Sequence, residues 1–321
     1  MNNKFLIIYH NEDNDGLFSA ALFNYYLTHD LKINSNDIIE MGSNYNELAK
    51  IDNKSIRNWK EEYSHIILLD LSFNDIKKMK LLKKEFGNNF IWIDHHSPII
   101  VESVFKKFDD INGIRQTDRS TILLVYKYCW DQLDENYNKK NIPELLRILS
   151  AYDSFTYEKE GYNLETVNCI NKAVTNETQL DLNRTKMVVF ELMNDPDYPS
   201  LTNLYKLGLS LDKYDVFKNK IITDNYGDCS WKVNDNPACA IFCQGPSNSL
   251  MFNVIDVKHG IVFKRNKNAT WTISLYNVKN DEKFHCGEYL KQKYGGGGHS
   301  GAAGCQIDEN KFIEILKNKK I

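Results

Sequence analysis

Zinc-type ligand spacing is missing from this 321-residue chain: its seven cysteines, Cys129, Cys169, Cys229, Cys239, Cys243, Cys286 and Cys305, contain no Cys-x-x-Cys pair. Their odd number fits a reducing compartment better than a disulfide framework. In Ala238-Cys239-Ala240-Ile241-Phe242-Cys243 the even spacing would put both cysteines on one strand face, as small apolar residues. A basic surplus is also lacking, with 40 Lys and Arg against 43 Asp and Glu and a net charge of -3. Such a balance argues against sequence-independent tracking along long nucleic acid. The lysine pairs Lys77-Lys78, Lys83-Lys84 and Lys106-Lys107 read as solvated helix faces. Long apolar runs are lacking as well. After Met1-Asn2-Asn3-Lys4 only five apolar residues follow before polar ones return, too short for a signal-peptide core or a membrane span. The expectation is a soluble cytoplasmic protein with no membrane partner.

What is present is a set of apolar runs that end in acid and imidazole. Phe5-Leu6-Ile7-Ile8-Tyr9 runs into His10-Asn11-Glu12-Asp13-Asn14-Asp15-Gly16, and His65-Ile66-Ile67-Leu68-Leu69 runs into Asp70. Asn89-Phe90-Ile91-Trp92-Ile93 runs into Asp94-His95-His96. Up to about Leu123, short β-rich runs alternate with stretches of helical period, which predicts βαβ units and a mainly parallel sheet. The acidic loop before Leu17, Phe18, Ala21, Leu22, Tyr25 and Tyr26 would then lie between a strand and a helix N-terminus, the crevice where open α/β sheets bind ligands.

From Ser120 to about Lys218 the spacing predicts helices over Thr121 to Trp130, Ile142 to Tyr152, Leu182 to Met193 and Leu204 to Lys218, punctuated by Pro196 and Pro199. Strands return from Asp228 at Ser230 to Val233, Ala238 to Cys243, Ile261 to Phe263 and Trp271 to Tyr276. A helix over Gly287 to Tyr294 stops at four glycines. The fold class is therefore α/β: an N-terminal, mainly parallel sheet flanked by helices, joined by a helical linker to a smaller C-terminal α/β domain.

A pair of divalent cations needs several oxygen or nitrogen ligands and a bridging carboxylate that holds the ions about 3.5 to 4 Å apart. His10, Asp13, Asp15, Asp70, His95 and Asp153, the last at a helix end, supply these types. Each has a structural alternative. Asp13 and Asp15 could form a capping loop, Asp70 could cap the segment Phe73 to Leu82, Asp153 could be a surface turn residue, and His10 and His95 could be core histidines. The conjunction is harder to dismiss than any member. A second signal is Tyr294-Gly295-Gly296-Gly297-Gly298-His299-Ser300-Gly301, whose glycines let amides approach an anion while His299 adds a donor. A flexible helix-terminating loop is the alternative there.

Together these residues resemble the DHH phosphoesterases with a DHH-associated C-terminal domain, nearest the nanoRNase or oligoribonuclease type. His10-x-x-Asp13-x-Asp15-Gly16, Asp70, Asp94-His95-His96, Asp153 and Gly295 to His299 stand in the family's order over nearly the whole chain. The resemblance implies a DHH metal-binding domain over 1–200, a helical linker over 201–226 and a substrate-binding domain over 227–321. One manganese-like ion would take His10, Asp13 and Asp70 and a second Asp15, Asp70, His95 and Asp153, with Asp70 bridging and magnesium or cobalt as substitutes. His96 would face the scissile phosphate and Asp94 would orient an imidazole. Gly296, Gly297, Gly298 and His299 would hold a terminal phosphate or the nucleotide.

The chain departs from the pattern at Ile273-Ser274-Leu275-Tyr276, where many relatives carry Ser-Leu-Arg. Arg265 could supply the cation instead, or be a solvated loop residue. The implied activity is two-metal hydrolysis of short RNA to nucleoside monophosphates, with a homodimer left open. Hydrolysis of cyclic dinucleotides or of 3'-phosphoadenosine phosphate, a RecJ-type single-strand exonuclease, and a non-catalytic nucleotide-binding protein are the alternatives.

Overall fold

Strands buried on both faces appear in sequence as unbroken apolar runs, and in the computed structural model those runs form one parallel sheet. The structure describes residues 4–73, 75–96, 111–130, 142–244, 249–252, 255–279, 281, 283–298 and 300–321. Two compact units divide the chain, Met1–Leu211 and Asp212–Ile321.

In the first unit, β1 (Phe5–His10) is followed by α1 (Asn14–Tyr25), which ends in a π-helical turn over Tyr26–Asp30. Then come β2 (Ile38–Ser43), α2 (Tyr45–Lys50), α3 (Asn53–Glu62), β3 (His65–Leu69), α4 (Ile76–Phe86) and β4 (Phe90–Ile93). The helices α5 (Thr121–Trp130), α6 (Glu144–Asp153), α7 (Leu164–Thr178), α8 (Leu182–Asn194) and α9 (Leu201–Tyr226) complete it, α9 running on past Leu211. The sheet order is β2-β1-β3-β4, all parallel. The chain leaves β1 for β2 on one side and returns to β3 on the other. The C-terminal crevice between β1 and β3 is therefore the topological switch point of the sheet.

Side chains alternate across a strand, so each run feeds two cores. Phe5, Ile7, Tyr9, Ile67, Leu69 and Ile93 join one cluster with residues of α1 and α5 to α8. Leu6, Ile8, Ile66, Leu68, Phe90 and Trp92 join the other, with residues of α2 to α4. The result is helices on both faces of a sheet. Several expectations need amendment. Helix α7, with a polar outer face and a buried stripe of Val167, Ile170, Ala173 and Val174, was not anticipated. The helix expected over Leu204 to Lys218 is longer at both ends. Asp75, not Asp70, caps α4, accepting from the Lys77 amide at 2.8 Å.

The second unit holds β5 (Asp228–Val233), β6 (Asn236–Phe242), β7 (His259–Arg265), β8 (Trp271–Asn277), α10 (Cys286–Tyr294), β9 (Gly297–Gly298), β10 (Ala302–Ile307) and α11 (Glu309–Asn318). Its sheet order is β5-β6-β7-β8-β10-β9, antiparallel except for the pair β6 and β7. Cys239 is buried on β6, and Cys243, one residue beyond that strand and half-buried, packs against the same apolar cluster, so the two lie on one face as expected. Part of the glycine run is strand. Gly295 takes the left-handed position that closes α10 (φ +68), and Gly298 pairs with Ala303 at φ +141. No helix among the described residues is long and apolar enough to cross a membrane. The α/β class, with a helix-flanked parallel sheet followed by a second sheet-containing domain, is the one expected.

Candidate metal centre

The parallel register brings three strand ends level, pairing Tyr9 with Leu69 and Leu69 with Ile93. The residues after those positions, His10, Asp70 and Asp94 to His96, therefore emerge side by side. Asp13 caps α1 by accepting from the Gly16 amide at 3.0 Å, and Asp15 lies in the first turn of α1. A Cβ on Gly16 would meet the His10 carbonyl oxygen at 2.0 Å, so only glycine lets the turn close against β1. Asp153 is the last residue of α6.

Three interlocking groups result: His10, Asp13 and Asp70; Asp15, His95 and Asp153; and Asp70, His95 and His96. His10 Nδ1 is 3.0 Å from Asp13 Oδ2 and 3.5 Å from Asp70 Oδ2. His95 Nε2 is 3.1 Å from Asp153 Oδ2 and 3.4 Å from both Asp15 Oδ2 and Asp70 Oδ1. The two oxygens of Asp70 thus face different ligand sets. Asp94 Oδ1 accepts from the His96 amide at 3.1 Å and lies 2.9 Å from His96 Nδ1, fixing that ring.

Three neighbouring residues were not anticipated. The amides of Thr121 and Ile122, unpaired in their own helix, donate to Asp15 at 2.9 and 2.8 Å, and the Thr121 hydroxyl donates to Asp70 Oδ1 at 2.9 Å. Tyr45 places its ring 6.1 Å from that of His10 and 5.9 Å from that of His96. Ser120-Thr121 ahead of an apolar run is a helix-start signal, but only the folded chain shows which carboxylates that start meets.

Crowding acid in a buried place has electrostatic consequences. Burial, then the charges of Asp15, Asp13, Asp94 and Asp153, push the Asp70 carboxyl well above the ordinary range. Asp153 is pushed up to about 8 by burial and by Asp15 and Asp13. Burial lowers His95. It also opposes protonation of His10 and His96, but Asp13 and Glu12 raise the first and Asp94, Asp15 and Asp153 raise the second. Burial raises the Tyr45 hydroxyl, helped by Asp94, Asp70 and Asp13, and keeps it neutral.

The cluster fits divalent cations. His10 Nδ1, Asp70 Oδ2 and Asp153 Oδ2 are buried without a hydrogen-bond partner, although each lies beside another ligand-type atom. Orphaned nitrogen and oxygen atoms that converge on one another are costly alone and are what a cation would satisfy. The donor set, imidazole with carboxylate and no thiolate, suits manganese, magnesium or a similar ion.

Of the other expected residues, Gly296, Gly297, Gly298 and Arg265 lie in the second unit. Gly297 and Gly298 form the exposed edge strand β9, and Arg265 ends β7 beside Glu309, its Nε 3.7 Å from Glu309 Oε2. His299 lies outside the described residues.

An acid-and-imidazole cluster that could hold metal ions thus stands at the switch point of a parallel sheet in an α/β protein. Residues 4–151 match the DHH family, N-terminal domain. No curated protein matches it in sequence. Among solved structures it is similar to the DHH domain of a member of the S1p family of ribosomal proteins, with 15% identity, 99% of this chain and 86% of that one covered, and a TM-score of 0.60. It is also similar to exonuclease RecJ bound to manganese (13% identity, 99% and 89% covered, TM-score 0.53). RecJ in complex with Mn2+ from Thermus thermophilus has 13% identity, with 99% of this chain and 51% of that one covered and a TM-score of 0.50.

Proposed function

We propose that the chain is a metal-dependent phosphoric ester hydrolase, a phosphodiesterase that cuts short oligoribonucleotides to nucleoside monophosphates. The observation that carries this reading is Asp70, a buried carboxylate with Oδ2 turned to His10 and Oδ1 to His95 and His96. His10 and Asp13 would hold one ion with it, and Asp15, His95 and Asp153 the other. Two manganese ions, or magnesium or cobalt, would polarise the phosphoryl oxygens and lower the pKa of the attacking water. RecJ, whose fold this chain shares, is described as bound to manganese, which supports that choice.

The chain's own residues do the rest. Asp94 holds His96 by Nδ1 and leaves Nε2 to donate to a phosphoryl oxygen, and the raised affinity of that ring for a proton favours its cationic form. Asp15, anchored by the first amides of α5, cannot swing away from the cluster. In the second unit, the amides of Gly296 to Gly298, with His299, would take the substrate's terminal phosphate, supported by the exposure of β9; Arg265, level with Ile307 at the other end of that sheet and beside Glu309, is too far along it to join them. A small substrate agrees with the net charge of -3, because few phosphates need no long basic track.

The test is a product time course with manganese on end-labelled ribonucleotides of several lengths, beside a cyclic dinucleotide, 3'-phosphoadenosine phosphate and single-stranded DNA. Mononucleotides released from the short RNAs at the highest kcat/KM are expected. Preference for another member of the panel would replace the substrate but keep the reaction, and inertness toward all of them would remove the hydrolase reading.

A further inference from the structure

Helix α8 buries Leu182, Thr185, Val189 and Leu192 in the first unit and turns the opposite face outward. At the centre of that face Met187 is 69% exposed, and Phe190, one turn on, is 45% exposed. Asn183 and Asn194 continue the line, so the exposed seam recurs at spacings of four, three and four residues, as in a helix that packs on another helix. Arg184 and Glu191 flank it on one side, seven residues apart and opposite in charge, and neither side chain has a partner among the described residues. Lys186, on the other flank, is occupied by Glu40 at 2.8 Å.

We propose that this face of α8 pairs with the same face of a second copy of this chain, antiparallel and related by a two-fold axis near Met187 and Val188. Opposite charges one heptad apart on one flank are self-complementary under that operation. Arg184 of each copy meets Glu191 of the other, and the contact occurs twice. Like charges in place of either residue would oppose the pairing.

The surroundings supply a socket for the apolar centre. A cavity of ≈ 810 Å³ opens between α8 and the π-helical turn, lined by Tyr25, His29, Phe190 and Tyr198 among others. Its floor is an aromatic stack in which the rings of Tyr25 and His29 lie 4.2 Å apart and Phe190 tilts against His29 at 5.4 Å. The cavity borders a second of ≈ 430 Å³ that shares Val188 and Tyr198. The partner copy's Met187, long, unbranched and polarisable, is suited to fill such a gap. The seam spans only two heptads, so association is expected to depend on concentration.

The experiment is sedimentation of the full chain over a wide concentration range, with circular dichroism to check that each variant keeps its helices. The wild type is expected to pass from one chain to two. Arg184→Glu and Glu191→Arg should each weaken dimerisation by about tenfold or more, since two exposed pairs become repulsive at once. The double variant, with both charges exchanged, should restore it, and Met187→Glu should abolish it. A chain that stays monomeric throughout, as it would if the groove served a small ligand or another protein, overturns the proposal. So does a dimer indifferent to the single reversals, or one that the double exchange does not rescue.

Discussion

The hydroxyl of Thr121 donates to Asp70 Oδ1 at 2.9 Å, joining the start of α5 to the carboxylate at the centre of the candidate metal site. Through its amide the same residue donates to Asp15, so one residue sets the position of two acids that belong to different ligand groups. Replacing Thr121 with Val keeps the shape and the amide but removes the hydroxyl. Partners of this kind are typically worth about 10- to 100-fold in metal affinity. Manganese titration calorimetry should show weakening in that range with little change in fold. Unchanged affinity would mean that the hydroxyl does not orient Asp70.

Asp70 itself holds a left-handed backbone conformation, φ +58, which Asn adopts more readily than most residues. Asp70→Asn should therefore keep the backbone while removing a carboxyl whose ionisation is opposed by burial and by four other carboxylates. The expected outcome is a split: the metal-free protein melts higher than wild type, whereas stabilisation by manganese and hydrolysis of a model phosphodiester are both lost. Scanning calorimetry with and without metal measures the first half. A variant that binds manganese and turns over normally would remove Asp70 from the bridging position.

How much of this was legible beforehand follows from where each residue's information lies. β1, β3 and β4 are buried on both faces, so their apolar runs and the polar residues that end them stand out in one dimension. β2 does not, because as an edge strand it buries only Ile38 and Ser43 fully and carries Glu40 and Gly42 between them. Helix α7 hid behind Asn, Thr and Glu on its outer face. Thr121 and Tyr45 look ordinary in sequence, since their relevance depends on acids brought to them from residues far away in the chain. Within the glycine run, Gly295 and Gly298 have positive φ, a backbone requirement for glycine that the sequence alone does not separate from a ligand-binding one.

The raised acids give the metal-free protein a signed pH dependence. A carboxyl whose folded pKa is above its unfolded value binds its proton more tightly in the folded state, so its stabilisation is complete below about 4 and is lost as pH rises through the folded value. For Asp153 that window ends at about 8, and Asp70 acts in the same direction. The raised His10 and His96 also lose stabilisation as pH rises past their folded values, whereas the lowered His95 works the other way. Chelator-treated protein should melt at progressively lower temperature from pH 5 to pH 8 (about the span between the two Asp153 values), and Asp153→Asn should flatten the decline. Manganese affinity should rise over the same range, because bound protons must leave before the cation enters. A melting temperature that climbs with pH in the chelated wild type would contradict the assigned shifts.

Gly16 offers a test that separates position from ligand chemistry, since it contributes no side chain to the cluster. A methyl group there would sit 2.0 Å from the His10 carbonyl oxygen and 2.7 Å from its carbonyl carbon, backbone atoms that cannot step aside as a flexible side chain could. Gly16→Ala must push the first turn of α1 away from the end of β1, moving Asp13 and Asp15 relative to His10. A cost of about 1–3 kcal/mol in urea unfolding is expected for overpacking of this kind. The larger effect should fall on metal binding, because His10 and Asp13 lie 3.0 Å apart and both belong to one ligand group. If Gly16→Ala lowers stability but leaves the manganese isotherm unchanged, His10 and Asp13 are not joint ligands.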